Sequence, residues 1–290
     1  MITFINLGQH GRLGNQLFQY AALRGIALHN GYECKIPSPS SMHWHGQKCL
    51  LSEFNIEAEY LTAEDIQTIK NQMVEPSPHL YYQDFMNIPD NTNIHGFFQS
   101  VHYFQNHKDQ ICKELTPKDR YMKEAKQYIE SLKEDKYEIV SIHLRRGDNT
   151  DGTNPSEIKF YGSDDILDQS TVYGSYLKKA LKEFEGKSVK YLVFTGGSRT
   201  GDDSADIEWA KKSFNDNNVV VSDTNNAMMD FSRIMMCDHN IACHMTSFGW
   251  WAAYLNPNPN KIVVAPEHYF YDLPKYYIRP GHLPETWRLV

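Results

Sequence analysis

Tyr137-Glu138-Ile139-Val140-Ser141-Ile142-His143-Leu144-Arg145-Arg146-Gly147-Asp148 is a short apolar run that ends in two adjacent guanidiniums. An apolar run of this length, closed by a turn-forming glycine, predicts a strand buried on both faces, as in a parallel sheet. In open α/β sheets, ligands bind beyond the carboxyl ends of such strands. Arginines placed there fork onto phosphate oxygens with a fixed geometry that lysine lacks. Arg-Arg pairs also occur as solvated or ion-paired surface features. The strand ahead of this pair, and His143, Gly147 and Asp148 around it, point instead to a site for a phosphorylated ligand.

Downstream the pattern becomes regular. Strand-like runs recur at 138–144, 190–195, 218–222, 240–243 and 261–265, with helix-like stretches at about 173–185, 204–214, 226–237 and 247–256. This alternation predicts a parallel sheet with helices on both faces. Upstream, residues 1–8 read as a first core strand, followed by a glycine-rich turn and an apolar helix from about Gln16 to Asn30. Gly31 stands where that helix should stop. Residues 34–50, with Pro37 and Pro39, read as a loop. Thr116-Pro117 reads as the N-cap and first turn of a charged helix reaching about Lys136. That helix is the seam between two expected domains, 1–136 and 137–290, with the C-terminal tail packing back on the first. The polar segment 149–170 is expected to form a mobile loop beside the arginines.

A chain of 290 residues is long enough for two domains, and 41% hydrophobic with 22% charged residues is the make-up of a soluble globular protein. A net charge of −7 argues against nucleic acid or an anionic membrane as the main partner, so any basic site must be local. No apolar run approaches the roughly 18 residues of a membrane span. The N-terminus lacks the charged region and cleavage site of a signal peptide. Five scattered cysteines suggest reduced thiols, hence a cytoplasm.

Two further motifs bear on chemistry. The N-terminal turn reads Gly11-Arg12-Leu13-Gly14-Asn15-Gln16. Glycines between a strand and a helix let the backbone approach a ligand, and the helix terminus offers N–H groups. The spacing is neither a dinucleotide fingerprint nor a P-loop, and such turns also serve packing alone. Thr246-Ser247-Phe248-Gly249-Trp250-Trp251-Ala252-Ala253-Tyr254-Leu255 follows the apolar run Asn240 to Cys243. Thr246 or Ser247 caps this helix, and a hydroxyl beside backbone donors suits a phosphate oxygen; a capped core helix is the plainer account. Cys34, His43, His45 and Cys49, and Cys237, His239, Cys243 and His244, have zinc-ligand chemistry without the C-x-x-C pairing that marks zinc sites. No metal site is expected.

In combination, the three motifs resemble those of the α-1,2-fucosyltransferases of glycosyltransferase family 11. That family carries a G-x-L-G-N-Q turn, an H-x-R-R-G-D block and a late S/T-F-x-x-W-A-A-Y/W-L block, in this order. Asp206-Ile207-Glu208-Trp209 is similar to its D-I/M-E-W segment. The resemblance implies an α/β, GT-B-like fold of two Rossmann-type halves facing a cleft. It implies GDP-β-L-fucose as donor, inverting transfer to the 2-hydroxyl of a galactose residue, and no metal or other cofactor. Arg145 would hold the pyrophosphate with Arg146 in support. His143 and an acidic residue would read guanine, and Thr246, Ser247 and Phe248 would close over the β-phosphate. Asp206 is the acid of choice, with Asp202 and Asp203 as alternatives, because residues 196–205 depart from the family's pattern.

Arg12, Gly14, Asn15 and Gln16 would lie across the cleft, on the acceptor or the phosphates, or brace their turn. Amide side chains suit sugar hydroxyls because each donates and accepts. Asp148 is the carboxylate placed in sequence to take the acceptor's proton; holding an arginine is its other role, and the leaving phosphate is another proton acceptor. The rival readings are a fucosyltransferase of another linkage, such as α-1,6, and a glycan- or nucleotide-sugar-binding protein without turnover. The expected partners are GDP-fucose and a galactoside, and not nucleic acid. The expected setting is the cytoplasm, with peripheral association at the inner membrane surface.

Overall fold

The computed structural model describes residues 1–38, 41, 43–44, 47–77, 80–134, 136–150, 166–198, 200–214, 216–244, 246–267 and 281–290. Most of the expected loop at 149–170 therefore lies outside the described residues, as does His45. The chain forms two compact units, Met1–Lys118 with Ile278–Pro284, and Asp119–Tyr277 with Glu285–Val290.

The first unit holds a five-stranded parallel sheet in the order β5-β2-β1-β7-β6. Its strands are β1 (Ile2–Thr3), β2 (Cys34–Ile36), β5 (Glu59–Tyr60), β6 (Asn71–Val74) and β7 (Thr92–His95). A small antiparallel pair, β3 (His43–Trp44) and β4 (Gln47–Lys48), stands apart. The segment at 34–50 thus carries three strands rather than a plain loop; each is too short to show an alternation. Among the described residues, three α-helices accompany the sheet: α1 (Leu13–Asn30), α2 (Ala63–Thr68) and α3 (Lys108–Glu114). Leu17, Phe18, Tyr20, Ala21, Leu23 and Ile26 of α1 are fully buried, as the apolar residues of a core helix must be. It stops at Gly31 in the left-handed conformation, as its sequence predicts. Glu114 of α3, fully buried, takes the Tyr20 hydroxyl and the Arg24 Nε at 3.0 Å, tying α3 to α1.

The second unit is a six-stranded parallel sheet ordered β10-β9-β8-β11-β12-β13. The strands are β8 (Glu138–Arg145), β9 (Val189–Gly196), β10 (Val219–Val221), β11 (His239–Ile241), β12 (Val263–Ala265) and β13 (Arg288–Leu289). Counted from β8 the order is 3-2-1-4-5-6, that of the doubly wound nucleotide-binding fold. The direction of winding therefore switches between β8 and β11. The helices are α4 (Asp119–Lys133), α5 (Val172–Lys182), α6 (Ser204–Ser213), α7 (Ala227–Met236) and α8 (Ser247–Leu255). Strand β8 is buried on both faces: Val140, Ile142 and Leu144 pack with Tyr173, Tyr176 and Leu177 of α5. Ser141, on the opposite face, accepts from Asn240 Nδ2 at 2.8 Å, and His143 shares that face.

The unit begins one helix before the sequence-based boundary at 136/137. Arg233 of α7 pairs with Glu124 of α4 and lies 3.7 Å over the Tyr128 ring, so α4 packs with the second unit. Thr116 does not cap α4. Its hydroxyl donates to the Cys112 carbonyl at 2.8 Å and closes α3 instead. The tail divides: Gly281 accepts the Val101 N–H at 2.8 Å in the first unit, while β13 extends the second sheet. All five cysteines are free thiols. Among the described residues, no group of three or more His, Cys, Asp or Glu side chains gathers to hold a metal ion, and no helix is long and apolar enough to cross a membrane.

Candidate active site

Strand β8 delivers Arg145 to the carboxyl edge of the second sheet, beside the switch between β8 and β11. Arg145 Nη1 donates to the carbonyls of Gly196 and Gly197, both at 3.1 Å, where β9 ends. Its Nη2 pairs with Asp148, whose N–H in turn reaches the Gly197 carbonyl at 3.2 Å. The single 3-10 turn Gly147–Asn149 makes this possible. Gly147 has φ 53°, and an added Cβ would sit 2.2 Å from the Gly197 carbonyl carbon, so only glycine fits.

Arg146 faces another way. Its Nε donates to Asp206 Oδ1 at 3.0 Å and its guanidinium centre lies 3.6 Å over the Trp209 ring. Asp206 Oδ2 accepts the Gly147 N–H at 2.8 Å. Asp206 and Trp209 lie three residues apart on one face of α6, so together they grip both Arg146 and the turn.

His143 is 7% exposed, with Nδ1 3.0 Å from Thr246 Oγ1 and its ring centre 5.2 Å from that of Phe248. Gly249 comes so near that a Cβ there would lie 2.7 Å from His143 Nδ1. Burial, reinforced by the charge of Arg145, lowers the imidazole from 6.5 to about 3, so it stays neutral at ordinary pH. Thr246 is the N-cap of α8, accepting the Gly249 N–H at 3.3 Å, and Ser247 opens the helix. The structure thus gathers His143, Arg145, Arg146, Thr246, Ser247 and Phe248 at the ends of β8 and β11. Thr246 spends its hydroxyl on the cap and on His143 as well.

The expected guanine-reading acids are already engaged by neighbouring groups of the chain. Asp206 uses both oxygens on the arginine turn. Asp203 Oδ1 accepts the N–H groups of Gly197 and Ser198 at 2.9 and 2.8 Å. Asp202 takes the Ser204 N–H at 3.0 Å and its hydroxyl. Asp230 on α7 is an acid that sequence reading passes over, because a lone Asp in an amphipathic helix gives no signal. Ser222 Oγ donates to it at 2.8 Å. Burial pushes its carboxyl from 3.8 up to about 7, against Ser222 and Arg233 and with help from Asp203 and Asp223. The adjacent Phe231 packs edge-on to Phe248 at 5.3 Å, which places this part of α7 beside the His143 contact.

In the first unit, the glycine turn follows β1. Gln16 is buried, donating to the Gly11 carbonyl at 3.1 Å and accepting from Cys49 Sγ at 3.2 Å, and Gly14 is buried within α1. Arg12 precedes the helix with extended backbone, and Asn15 Oδ1 accepts from Gln99 Nε2 at 2.9 Å. Gln99 carried no motif by which sequence reading could find it.

The family model for "Glycosyl transferase family 11" matches residues 3–274. A Mus musculus protein, "Galactoside 2-alpha-L-fucosyltransferase Sec1", is 28% identical over 84% of this chain, which spans 62% of that protein's length. The Escherichia coli "O-antigen biosynthesis glycosyltransferase WbnK" is 26% identical over 90% of this chain and 93% of its own. Among solved structures, POFUT1 in complex with GDP-fucose superposes with a TM-score of 0.51 at 11% identity, covering 94% of this chain and 98% of its own. A variant of Arabidopsis thaliana FUT1 in complex with GDP gives 0.51 at 12% identity, covering 91% and 70%. At such identities these two share the fold alone, and it is the expected α/β, GT-B-like one with two Rossmann-type halves. With a family model spanning nearly its whole length, and the arginine turn and late helix lying within that span, the chain belongs to glycosyl transferase family 11.

Proposed function

We propose that this chain transfers L-fucose from GDP-β-L-fucose to the 2-hydroxyl of a galactose residue, with inversion at the fucose carbon and without a metal ion. The observation that carries this reading is the Arg145–Gly147 turn at the switch point of a 3-2-1-4-5-6 sheet, in a family whose members include galactoside fucosyltransferases. Negative charge grows on the β-phosphate as the sugar leaves, and donors fixed in advance lower that barrier. Arg145 is fixed by two carbonyls and Asp148, while Ser247 and the first N–H groups of α8 are donors at the same edge. Arg146 acts through the turn it holds. Asp148 is committed to Arg145 as a positioning residue; with inversion the acceptor attacks the face opposite the phosphate, so its proton leaves to water on that face.

Guanine presents both acceptor atoms and an amino donor. A neutral His143 and the carboxyl of Asp230 suit such a base, so Asp230 takes the role first given to Asp206. The same proposal sets the protein in the cytoplasm, at the inner membrane surface, where its five free thiols would stay reduced.

The test is transfer to lactose and N-acetyllactosamine with EDTA present, comparing GDP-fucose, GDP-mannose and UDP-galactose as donors. The reading requires a fucosylated product from GDP-fucose alone, with an α-1,2 linkage by NMR. An α-1,6 product would move the proposal to the rival linkage, and transfer only from another donor would sink it.

A further inference from the structure

The first unit has its own switch point. Strands β1 and β7 pair in the sheet, although β2, β5 and β6 lie between them in the chain. The carboxyl ends of strands at such a break form a crevice suited to a ligand. Two pairs of side chains stand there, His10 with His95 and Asn15 with Gln99. The His10 and His95 rings pack edge to face, 4.7 Å apart. Gly11, next to His10, has φ 80° and lies so close to Asn15 that an added Cβ would be 2.2 Å from its amide nitrogen. Asn15 bonds Gln99 at 2.9 Å, and Gln99 lies four residues beyond His95. All four side chains are partly exposed.

The loop that carries Gln99 is held in an unfavourable shape. Phe98 has φ 51°, a left-handed conformation that bulky residues rarely adopt. Glu75, buried just beyond β6, holds it by accepting the N–H groups of Phe97 and Phe98 at 2.7 and 3.1 Å. Backbone strain that the surroundings enforce is concentrated where a molecule uses the geometry. Its effect here is to set Gln99 against Asn15.

We infer that His10, Asn15, His95 and Gln99 form a binding site for a neutral, hydroxyl-bearing sugar ring, the acceptor subsite of the reaction proposed above, on which this inference rests. The amides of Asn15 and Gln99 both donate and accept, as neighbouring hydroxyls require. Burial, with His10 beside it, lowers the pKa of His95, which keeps that ring neutral. A site of amides and imidazoles favours uncharged hydroxyls over an anionic group.

Saturation-transfer NMR with methyl β-D-galactoside, on the full chain with and without GDP, tests this without turnover. The wild type should pass saturation to the sugar. His10→Ala and Gln99→Ala should each weaken its binding at least tenfold, with GDP affinity by calorimetry unchanged within twofold. Where alanine lowers the melting temperature, His10→Gln and Gln99→Met replace it, the first retaining part of the binding and the second losing it. A galactoside signal that survives both substitutions, or a wild type that binds GDP and no galactoside, overturns the site. A wild type that binds the galactoside and no GDP overturns the donor reading and leaves the sugar site standing.

Discussion

Arg145 and Arg146 are neighbours with separate tasks. The first is anchored on the end of β9 and on Asp148; the second is clamped between Asp206 and Trp209. The order of residues shows that two arginines follow a buried strand, but not which protein groups each of them holds. That depends on the register of β8 against β9, where Arg145 stands opposite Gly196, and on a backbone turn that only Gly147 permits. Gly147→Ala should therefore cost about 1–3 kcal/mol of stability through backbone strain and closer contact, and abolish GDP binding. Thermal melts and calorimetry on that variant check this; full GDP affinity would show that the turn is dispensable. Asp230 was illegible for a different reason, since its setting comes from Ser222 and from packing that no local pattern announces.

At the scale of elements, the two units differ in how plainly they can be read. The second sheet has long strands such as β8 and β9, separated by capped helices, and the sequence predicts each of its first five strands within a few residues. The first sheet is built from strands of two to four residues, too short to show a period. Only β1 and α1 were visible there, the helix because it is largely apolar and stops at a glycine. Its anchor, Glu114, looked like an ordinary surface acid in a charged stretch, yet it is fully buried against Tyr20 and Arg24. Removing one partner of a buried charged cluster leaves the others uncompensated, at about 3–5 kcal/mol. Glu114→Ala should lose stability on that scale in urea unfolding, and a loss below about 1 kcal/mol would contradict the cluster's role.

For the whole molecule, His143 and Asp230 impose opposite pH dependences. His143 stays neutral when folded, with a pKa of about 3 against 6.5, so the unfolded chain binds the extra proton. Its contribution is complete above about 6.5 and falls by up to about 1.4 kcal/mol per unit as pH drops toward 3. Asp230 stays protonated when folded, at about 7 against 3.8, so its contribution is complete below about 3.8 and is lost as pH rises toward 7. Between about pH 4 and 6.5 the two offset. Across that window, stability should rise with pH in Asp230→Asn relative to wild type and fall with pH in His143→Gln. Equal slopes in both variants would refute the assignment. The domain boundary also belongs to this scale: α4 reads as a seam by its charge, but Arg233 and Tyr128 bind it to the second unit. The central claim is that the Arg145 turn carries fucosyl transfer. It is tested most directly by comparing kcat/KM for GDP-fucose and lactose in wild type, Arg145→Ala and Arg146→Ala. The account predicts an active wild type, no detectable transfer by Arg145→Ala, and a reduced but measurable rate in Arg146→Ala. An Arg145→Ala enzyme within tenfold of wild type would contradict it.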